Sequence, residues 1–244
     1  MSAPYLSVVI PAYNEALRIG STLDKVRQYL ETRNFPCELI VVDDGSRDDM
    51  PELLADYSER HPGIRVLRNE PNRGKGYSVR RGVLEARGQF VLFTDADLSA
   101  PIEETNKLLA ALEPTGADAA VGSRALDRRL IGVHQPWRRE MAGRVFNLLV
   151  RFFSGLKIQD TQCGLKLFRR ETTRRAFELQ TVTGFGFDPE LLFLIERLGG
   201  RIVEVPVRWN DNPATKVHFL RDSTRMFLDL ISLRWRAITG RYRA

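Results

Sequence analysis

The sequence predicts an α/β fold: a mostly parallel sheet flanked by helices, with amphipathic helices in the C-terminal half. Three observations predict it. Short Val- and Ile-rich runs in the first half alternate with amphipathic segments, one helix between successive strands, as β-α-β crossovers require. The residues just past those runs are rich in polar or acidic groups, as at the carboxyl edge where open α/β sheets bind ligands. The chain has 244 residues, 43% apolar and 28% charged, enough for one sizeable core. That balance excludes a wholly disordered chain. The lack of any uncharged apolar run of about 18 residues excludes an ordinary membrane-spanning helix.

The elements follow in order. Leu6–Pro11 (LSVVIP) reads as a buried strand, followed by a helix from Glu15 to Tyr29. Glu38–Asp43 (ELIVVD) is the second strand, with a helix over Pro51–Arg60. Ile64–Leu67 is the third, with a helix over Gly76–Ala86. Phe90–Thr94 (FVLFT) is the fourth, with a helix over Ile102–Leu112. Ala117–Gly122 (ADAAVG) is a weaker fifth. The pattern becomes irregular after Arg124. No repeat or Gly/Ser-rich linker interrupts the chain, so it reads as one domain, 1–244. It reads as a nucleotide-type front, 1–124, and an elaborated back, 125–244.

Charge changes sign near the same place. Residues 1–125 carry 15 Lys and Arg against 19 Asp and Glu, and residues 126–244 carry 22 against 12. A basic half suits nucleic acid, anionic lipid or a phosphorylated substrate, and charge alone does not choose among them. Cys37 and Cys163 support neither a disulfide framework nor a cysteine zinc site, so a reducing compartment is the default. The N-terminus lacks a basic start and its apolar run ends at Pro11, unlike a secretory signal. His61, His134 and His218 have no metal or triad spacing. A Gly-rich dinucleotide fingerprint and a GxxxxGK[ST] loop are both absent, which argues against a dehydrogenase or an ATPase.

Chemistry concentrates at the strand ends. Asp95-Ala96-Asp97 follows FVLFT directly, and residues two apart in an extended segment point the same way. Two carboxylates there can hold a divalent ion that also takes diphosphate oxygens; the alternative is a polar turn opening a helix. Asp43-Asp44-Gly45-Ser46 offers a carboxylate to a nucleobase or ribose, or makes an Asx-turn with Gly45 at positive φ. Asn72-Arg73-Gly74-Lys75-Gly76 brings Lys75 towards a phosphate or base edge, or is a solvated loop. Arg124 in Gly122-Ser123-Arg124 grips a phosphate or forms a surface ion pair. Asp160-Thr161-Gln162-Cys163-Gly164 reads as a tight loop with a buried thiol, ahead of the apolar run LKLF. Asp188 and Glu190 either face a sugar or start a helix.

Two basic segments carry broad apolar faces. In Trp137–Ile158, Trp137, Met141, Val145, Leu148 and Phe152 form one helical stripe, with Phe146, Leu149, Val150 and Phe153 widening it. Phe219–Tyr242 repeats the character with Phe227, Leu228, Leu230, Ile231 and Trp235 among arginines. Either segment alone fits a core helix. Two together in the basic half favour a membrane interface, and Leu149 and Phe153 are the expected lipid-facing test positions.

The set VVIPAYNE, VVDDGS, NRGKG, FTDADLS, GSRA, DTQCGLKLF, FGFDPELLF and ATKV resembles the family 2 glycosyltransferases. It is similar in particular to dolichyl-phosphate β-glucosyltransferases and polyprenyl-phosphate relatives, with dolichyl-phosphate mannose synthases as cousins. The resemblance runs from Tyr5 to Tyr242. It implies a GT-A fold, an inverting mechanism, a UDP-sugar donor (UDP-glucose first), Mg²⁺ or Mn²⁺, and a polyprenyl or dolichyl phosphate acceptor. Carried over, Pro11, Ala12, Tyr13 and Glu15 line the nucleoside pocket, and Val42 and Asp44 contact base and ribose. Lys75 joins the donor site. Asp95 and Asp97 bind the metal and diphosphate, with Ala96 near the ribose. Asp97 and Arg124 are the catalytic pair, and Arg124, Arg138, Arg139 and Lys216 hold the acceptor phosphate.

Some positions depart from the mannose-synthase pattern. Ser99 stands where those enzymes carry Gln, so a third protein ligand to the metal is not expected. Asn210 stands where they carry Arg. Both lean towards glucosyl transfer. No anchor segment is read here, so the expected membrane contact is peripheral, on the cytoplasmic inner face. No nucleic-acid partner is expected. GDP-mannose as donor, a soluble saccharide acceptor with Asp188 or Glu190 as base, and a non-enzymatic nucleotide or nucleic-acid module are the competing readings.

Overall fold

The computed structural model describes residues 3–212 and 219–242, excluding the side chains of residues 138 and 219–221. The first half contains β1 (Leu6–Ala12), α1 (Ala16–Glu31), β2 (Cys37–Asp43), α2 (Met50–Arg60), β3 (Ile64–Arg68) and α3 (Lys75–Glu85). It continues through β4 (Phe90–Thr94), a 3₁₀ turn at Ile102–Glu104, α4 (Thr105–Thr115) and β5 (Ala119–Ser123). The second half adds β6 (Ile131–Val133), α5 (Trp137–Ser154), β7 (Leu165–Arg169), α6 (Arg170–Leu179) and α7 (Phe187–Arg197). It ends with β8 (Ile202–Pro206), β9 (Trp209–Asn210) and α8 (Phe219–Ile238). The predicted strands of the first half are all present, and β5 is shifted to start at Ala119.

Seven strands form one sheet in the order β3-β2-β1-β4-β7-β5-β8, and β6 pairs with β9 separately. Every neighbouring pair in the large sheet is parallel except those of β7, which runs antiparallel to both β4 and β5. The segment LKLF, read only as an apolar run, is that reversed strand. Its reversal carries the preceding residues, DTQCG, to the edge where β4 and β5 end.

The parallel strands are apolar almost continuously because both faces of the sheet are covered. Leu6, Val8, Ile10, Val41 and Leu92 face Ile19 and Leu23 of α1, Leu54 of α2 and Leu108 of α4. Val9, Val42, Val91 and Phe93 face Val79 and Val83 of α3, Phe177 of α6 and Leu191 of α7. A third cluster, with Val121, Val150, Leu192 and Leu230, docks α5 and α8 against the end of the sheet.

Those two helices bury one side only. Val150 and Leu230 are buried, and Phe146, Leu149 and Phe153 pack partly against them. The predicted stripe on α5 faces outward: Trp137, Met141, Val145, Leu148 and Phe152 are exposed, Phe152 by 81%. On α8, Phe227, Leu228, Ile231, Trp235 and Ile238 form the equivalent exposed stripe. The core-helix alternative therefore fails for the Trp137–Phe152 stripe. Leu149 and Phe153 are in turn the wrong test positions, because their side chains turn towards the core. No described helix is long and apolar enough to cross a membrane.

Candidate active site

The site is assembled at the carboxyl edge of the sheet from the ends of β1, β2, β4 and β5, the loop into α3, and the loop into β7. Asp95 follows β4. Its main-chain N–H donates to the Gly164 carbonyl at 3.1 Å, and its carboxylate lies against the Gly164 backbone. A Cβ at Gly164 would sit 2.1 Å from Asp95 Oδ2, so only glycine lets β7 start there. Asp97 is half-exposed, and its Oδ1 accepts the Ser99 N–H at 2.9 Å. Ala96 is buried, and its carbonyl accepts from Thr22 Oγ1 at 2.6 Å.

Lys75 opens α3 and reaches this edge. Its Nζ lies 2.7 Å from Asp95 Oδ1, above the rings of Phe93 and Phe185. Burial alone would lower the ammonium's pKa, but Asp95 and Asp188 outweigh it and hold Lys75 protonated. Gly74 makes this approach possible. Its φ is +99°, and a Cβ there would meet the Thr183 carbonyl at 2.4 Å.

Asp43 and Asp44 divide two tasks. Asp43 Oδ1 accepts the Ser46 N–H at 2.9 Å, the expected Asx-turn, with Gly45 at φ +75°. Asp44 is buried, and its carboxylate accepts from Asn69 Nδ2 at 2.8 Å, Arg73 N at 2.9 Å and Gly74 N at 2.7 Å. In this structure Asp44 therefore ties down the loop that carries Lys75. Val42 is fully buried in the sheet core, so any ligand contact narrows to its main chain. Pro11 and Ala12 end β1 in buried positions, and Tyr13 and Glu15 follow, half-exposed. Glu15 Oε1 accepts from Arg18 Nη2 at 2.7 Å, and Arg18 senses both Asp95 and Asp97.

Arg124, after β5, is neither free nor a surface pair. Its Nε and Nη2 donate to Asp160 Oδ2 and Oδ1 at 2.6 and 2.8 Å, and its main-chain N–H adds a third bond to Asp160 at 2.9 Å. The guanidinium also stands 5.2 Å from the Trp209 ring centre. Burial opposes the charges of both partners. The mutual pairing wins, raising the pKa of Arg124 and lowering that of Asp160. β4 and β5 flank β7 and both end beside its start, so Arg124, after β5, and Asp95 and Asp97, after β4, lie at one edge of the sheet; the charge of Asp95 also acts on Arg124. The sequence shows Asp160 only as part of a tight loop. Its role as the grip on Arg124 depends on β7 reversing beside β5.

Arg139, on α5, pairs with Asp211 at 3.5 Å. The side chain of Arg138 and all of Lys216 lie outside the described residues. Asp188 and Glu190 are buried at the start of α7. Asp188 Oδ1 lies 2.6 Å from Lys166 Nζ. Glu190 accepts from the Thr181 and Val182 main-chain N–H groups at 2.9 and 2.7 Å, and from Tyr242 Oη at 2.6 Å. Glu190 is thereby a structural clamp on the C-terminal segment and is not placed as a base. Cys163 is a buried thiol, as expected; burial first, then Asp160, pushes its pKa up to about 12.

Residues 7–177 match the model of Glycosyl transferase family 2. A dolichyl-phosphate beta-glucosyltransferase of Dictyostelium discoideum is 35% identical over 97% of this chain and 76% of its own length. That of Drosophila melanogaster is 39% identical over 98% and 77%, and that of Homo sapiens 35% over 98% and 77%. Among solved structures, glucosyl-3-phosphoglycerate synthase from Mycobacterium tuberculosis, in complex with Mn²⁺, UDP-glucose and phosphoglyceric acid, superposes with a TM-score of 0.68 at 24% identity. It covers 95% of this chain and 80% of its own. Mannosyl-3-phosphoglycerate synthase from Rubrobacter xylanophilus gives 0.69 at 20%, covering 99% and 76%. These two likenesses establish the shared GT-A architecture. With a family model over most of its length and relatives aligned over nearly all of it, this chain belongs to glycosyl transferase family 2.

Proposed function

We propose that the protein transfers glucose from UDP-glucose to the phosphate of a dolichyl-type polyprenol, giving a β-linked lipid-phosphate sugar. One observation carries this reading: the Asp95–Asp97 carboxylates and the Arg124 fork share one sheet edge. They do so in a chain whose relatives at 33–39% identity are named dolichyl-phosphate beta-glucosyltransferase.

The donor half orients the nucleotide. Pro11, Ala12, Tyr13, Glu15, the Val42 main chain and the loop held by Asp44 border the nucleoside. Lys75, Asp95 and Asp97 face the diphosphate. The carboxylates fit a divalent ion, Mg²⁺ or Mn²⁺. Asp95 already draws a cation, the Lys75 ammonium, and Gly164 leaves its carboxylate room. An ion held by these two carboxylates would take its remaining ligands from diphosphate oxygens and water. When bound, such an ion supplies positive charge to the departing diphosphate.

The acceptor needs no general base. A phosphate monoester has a second pKa of about 6 and is mostly dianionic at neutral pH, so the acceptor oxygen is itself the nucleophile. The two carboxylates that a neutral sugar acceptor would require as base are both committed, Asp188 to Lys166 and Glu190 to the segment around Thr181. Arg124 keeps Nη1 for the acceptor phosphate while Asp160 fixes the other edge of its fork. By the family resemblance, Arg138, Arg139 and Lys216 would add to this cationic, phosphate-binding charge. The work of the site is orientation and charge stabilisation, and in-line attack inverts the α-linked donor.

The exposed stripes of α5 and α8 support a peripheral position on a membrane surface. They are joined by the edge-to-face rings of Phe152, Phe153 and Phe227, and Arg144, Arg151, Arg225 and Arg234 lie exposed beside them. Apolar stripes flanked by arginines suit an anionic, cytoplasmic leaflet.

The test is a donor screen with a short polyprenyl phosphate and Mg²⁺ or Mn²⁺, read by mass spectrometry. UDP-glucose should give the hexosylated lipid phosphate. Transfer only from GDP-mannose, or only to a soluble acceptor, would overturn the assignment.

A further inference from the structure

Behind the donor edge lies a second charged pair that the transfer reaction does not touch directly. Lys166 sits in the middle of the sheet, on β7, and is 0% exposed. Its Nζ donates to the Cys163 carbonyl at 2.6 Å and lies 2.6 Å from Asp188 Oδ1. A fully buried ion pair repays its desolvation poorly, and apolar residues of similar size do as well or better for stability. Its presence here needs another reason, and its surroundings supply one.

Lys166 and Lys75 stand over the same ring, 5.7 and 5.4 Å from the centre of Phe93. Phe93 packs edge-to-face on Phe187, the residue before Asp188. The main chain of the loop into α7 is fastened to the start of α3: the Tyr77 N–H donates to the Thr183 carbonyl at 3.1 Å, and Gln180 Nε2 donates to the Gly76 carbonyl at 2.9 Å. Gly76, next to Lys75, packs on Phe187, next to Asp188, so closely that a Cβ there would meet Phe187 Cβ at 2.6 Å; this brings the pairs Lys166–Asp188 and Lys75–Asp95 together as one row, with Asp188 acting electrostatically on Lys75. The ends of this row are fixed by contacts of 2.6 and 2.7 Å. The carboxyl of Asp188 responds to both lysines, although burial raises its pKa overall.

We propose that Asp188, held by Lys166, is a positioning residue for Lys75 in the donor site. Lys75 is paired to Asp95, the carboxylate that a metal–diphosphate must claim. When Asp95 is claimed, Asp188 remains behind Lys75 as its countercharge. The ammonium stays at the floor of the site, directed at the incoming diphosphate, and does not swing into solvent. Asp188 acts through Lys75 and touches no substrate. The inference rests on the donor reading above.

A double-mutant cycle on the full chain tests it. Asp188→Asn alone would strand a buried ammonium, so the variant is the neutral pair Lys166→Met with Asp188→Asn. UDP affinity is measured by calorimetry at saturating Mn²⁺, in the Lys75 and Lys75→Met backgrounds, with thermal melting as a check on folding. The neutral pair should weaken UDP binding by about tenfold when Lys75 is present, and by less than about twofold in Lys75→Met. Equal losses in both backgrounds would overturn the proposal, as would no loss in either. If the neutral pair does not fold, Asp188→Glu with Lys166 retained replaces it under the same criterion. Failure of the wild type to bind UDP with Mn²⁺ would remove the donor reading itself, and this inference with it.

Discussion

At the scale of single residues, the account turns on what Asp95 and Asp97 do with cations. Lys75 occupies Asp95 Oδ1 here, so a divalent ion entering alone must displace an ammonium. Lys75→Met should therefore bind Mn²⁺ alone more tightly than wild type, while binding UDP in Mn²⁺ more weakly. Manganese titration by electron paramagnetic resonance measures the first and calorimetry the second; tighter UDP binding would refute this role. Asp97→Ala should lower transfer by ~10²–10³-fold, the scale of losing one element of charge stabilisation, with an unchanged melting temperature. The strand-end motifs were legible because each is contiguous. The pairs that fix them were not: Asp160 lies far from Arg124 in sequence, Asp188 far from Lys166, and nothing local in either segment names its partner. Asp44 was legible as a site residue, but its hold on the 72–74 loop became evident only with the loop folded over it.

At the scale of elements, β7 and the two amphipathic helices matter most. LKLF shows that a strand exists but gives no direction, because direction comes from the sheet it joins. The α5 stripe was legible as a stripe, and only packing decides which side faces out. Leu148→Ser with Phe152→Ser should reduce binding to anionic liposomes at least several-fold without lowering the melting temperature, since both side chains are exposed. Leu149→Ser with Phe153→Ser should instead destabilise the fold, because those side chains pack against the third cluster. Co-sedimentation and thermal melting separate the two results. Wild-type liposome binding by the first pair would refute the membrane reading.

At the scale of the whole molecule, the buried Arg124–Asp160 pair ties the first half of the chain to the second at the carboxyl edge of the sheet, and Glu38 ties strands within the first half. Asp160, beside Arg124, and Glu38, bonded to Ser7 and the Arg87 N–H, both have carboxyl pKa values held low in the fold against the upward push of burial. A carboxyl whose folded pKa is depressed binds protons more readily when unfolded. Its contribution is fully present above the unfolded value of ~4 and is lost as pH falls below it. Urea melts from pH 7 to pH 3 should show stability falling steeply below about pH 4; a rise over that range would contradict the pairing. Glucosyl transfer between UDP and a lipid phosphate is the claim on which the rest depends. It is tested most directly by incubating the purified protein with UDP-α-glucose and a polyprenyl phosphate and determining the product's anomeric configuration by NMR. A β-glucosyl phosphate formed by wild type and not by Asp97→Ala is the predicted result. An α-linked product, or equal product from the variant, would contradict it.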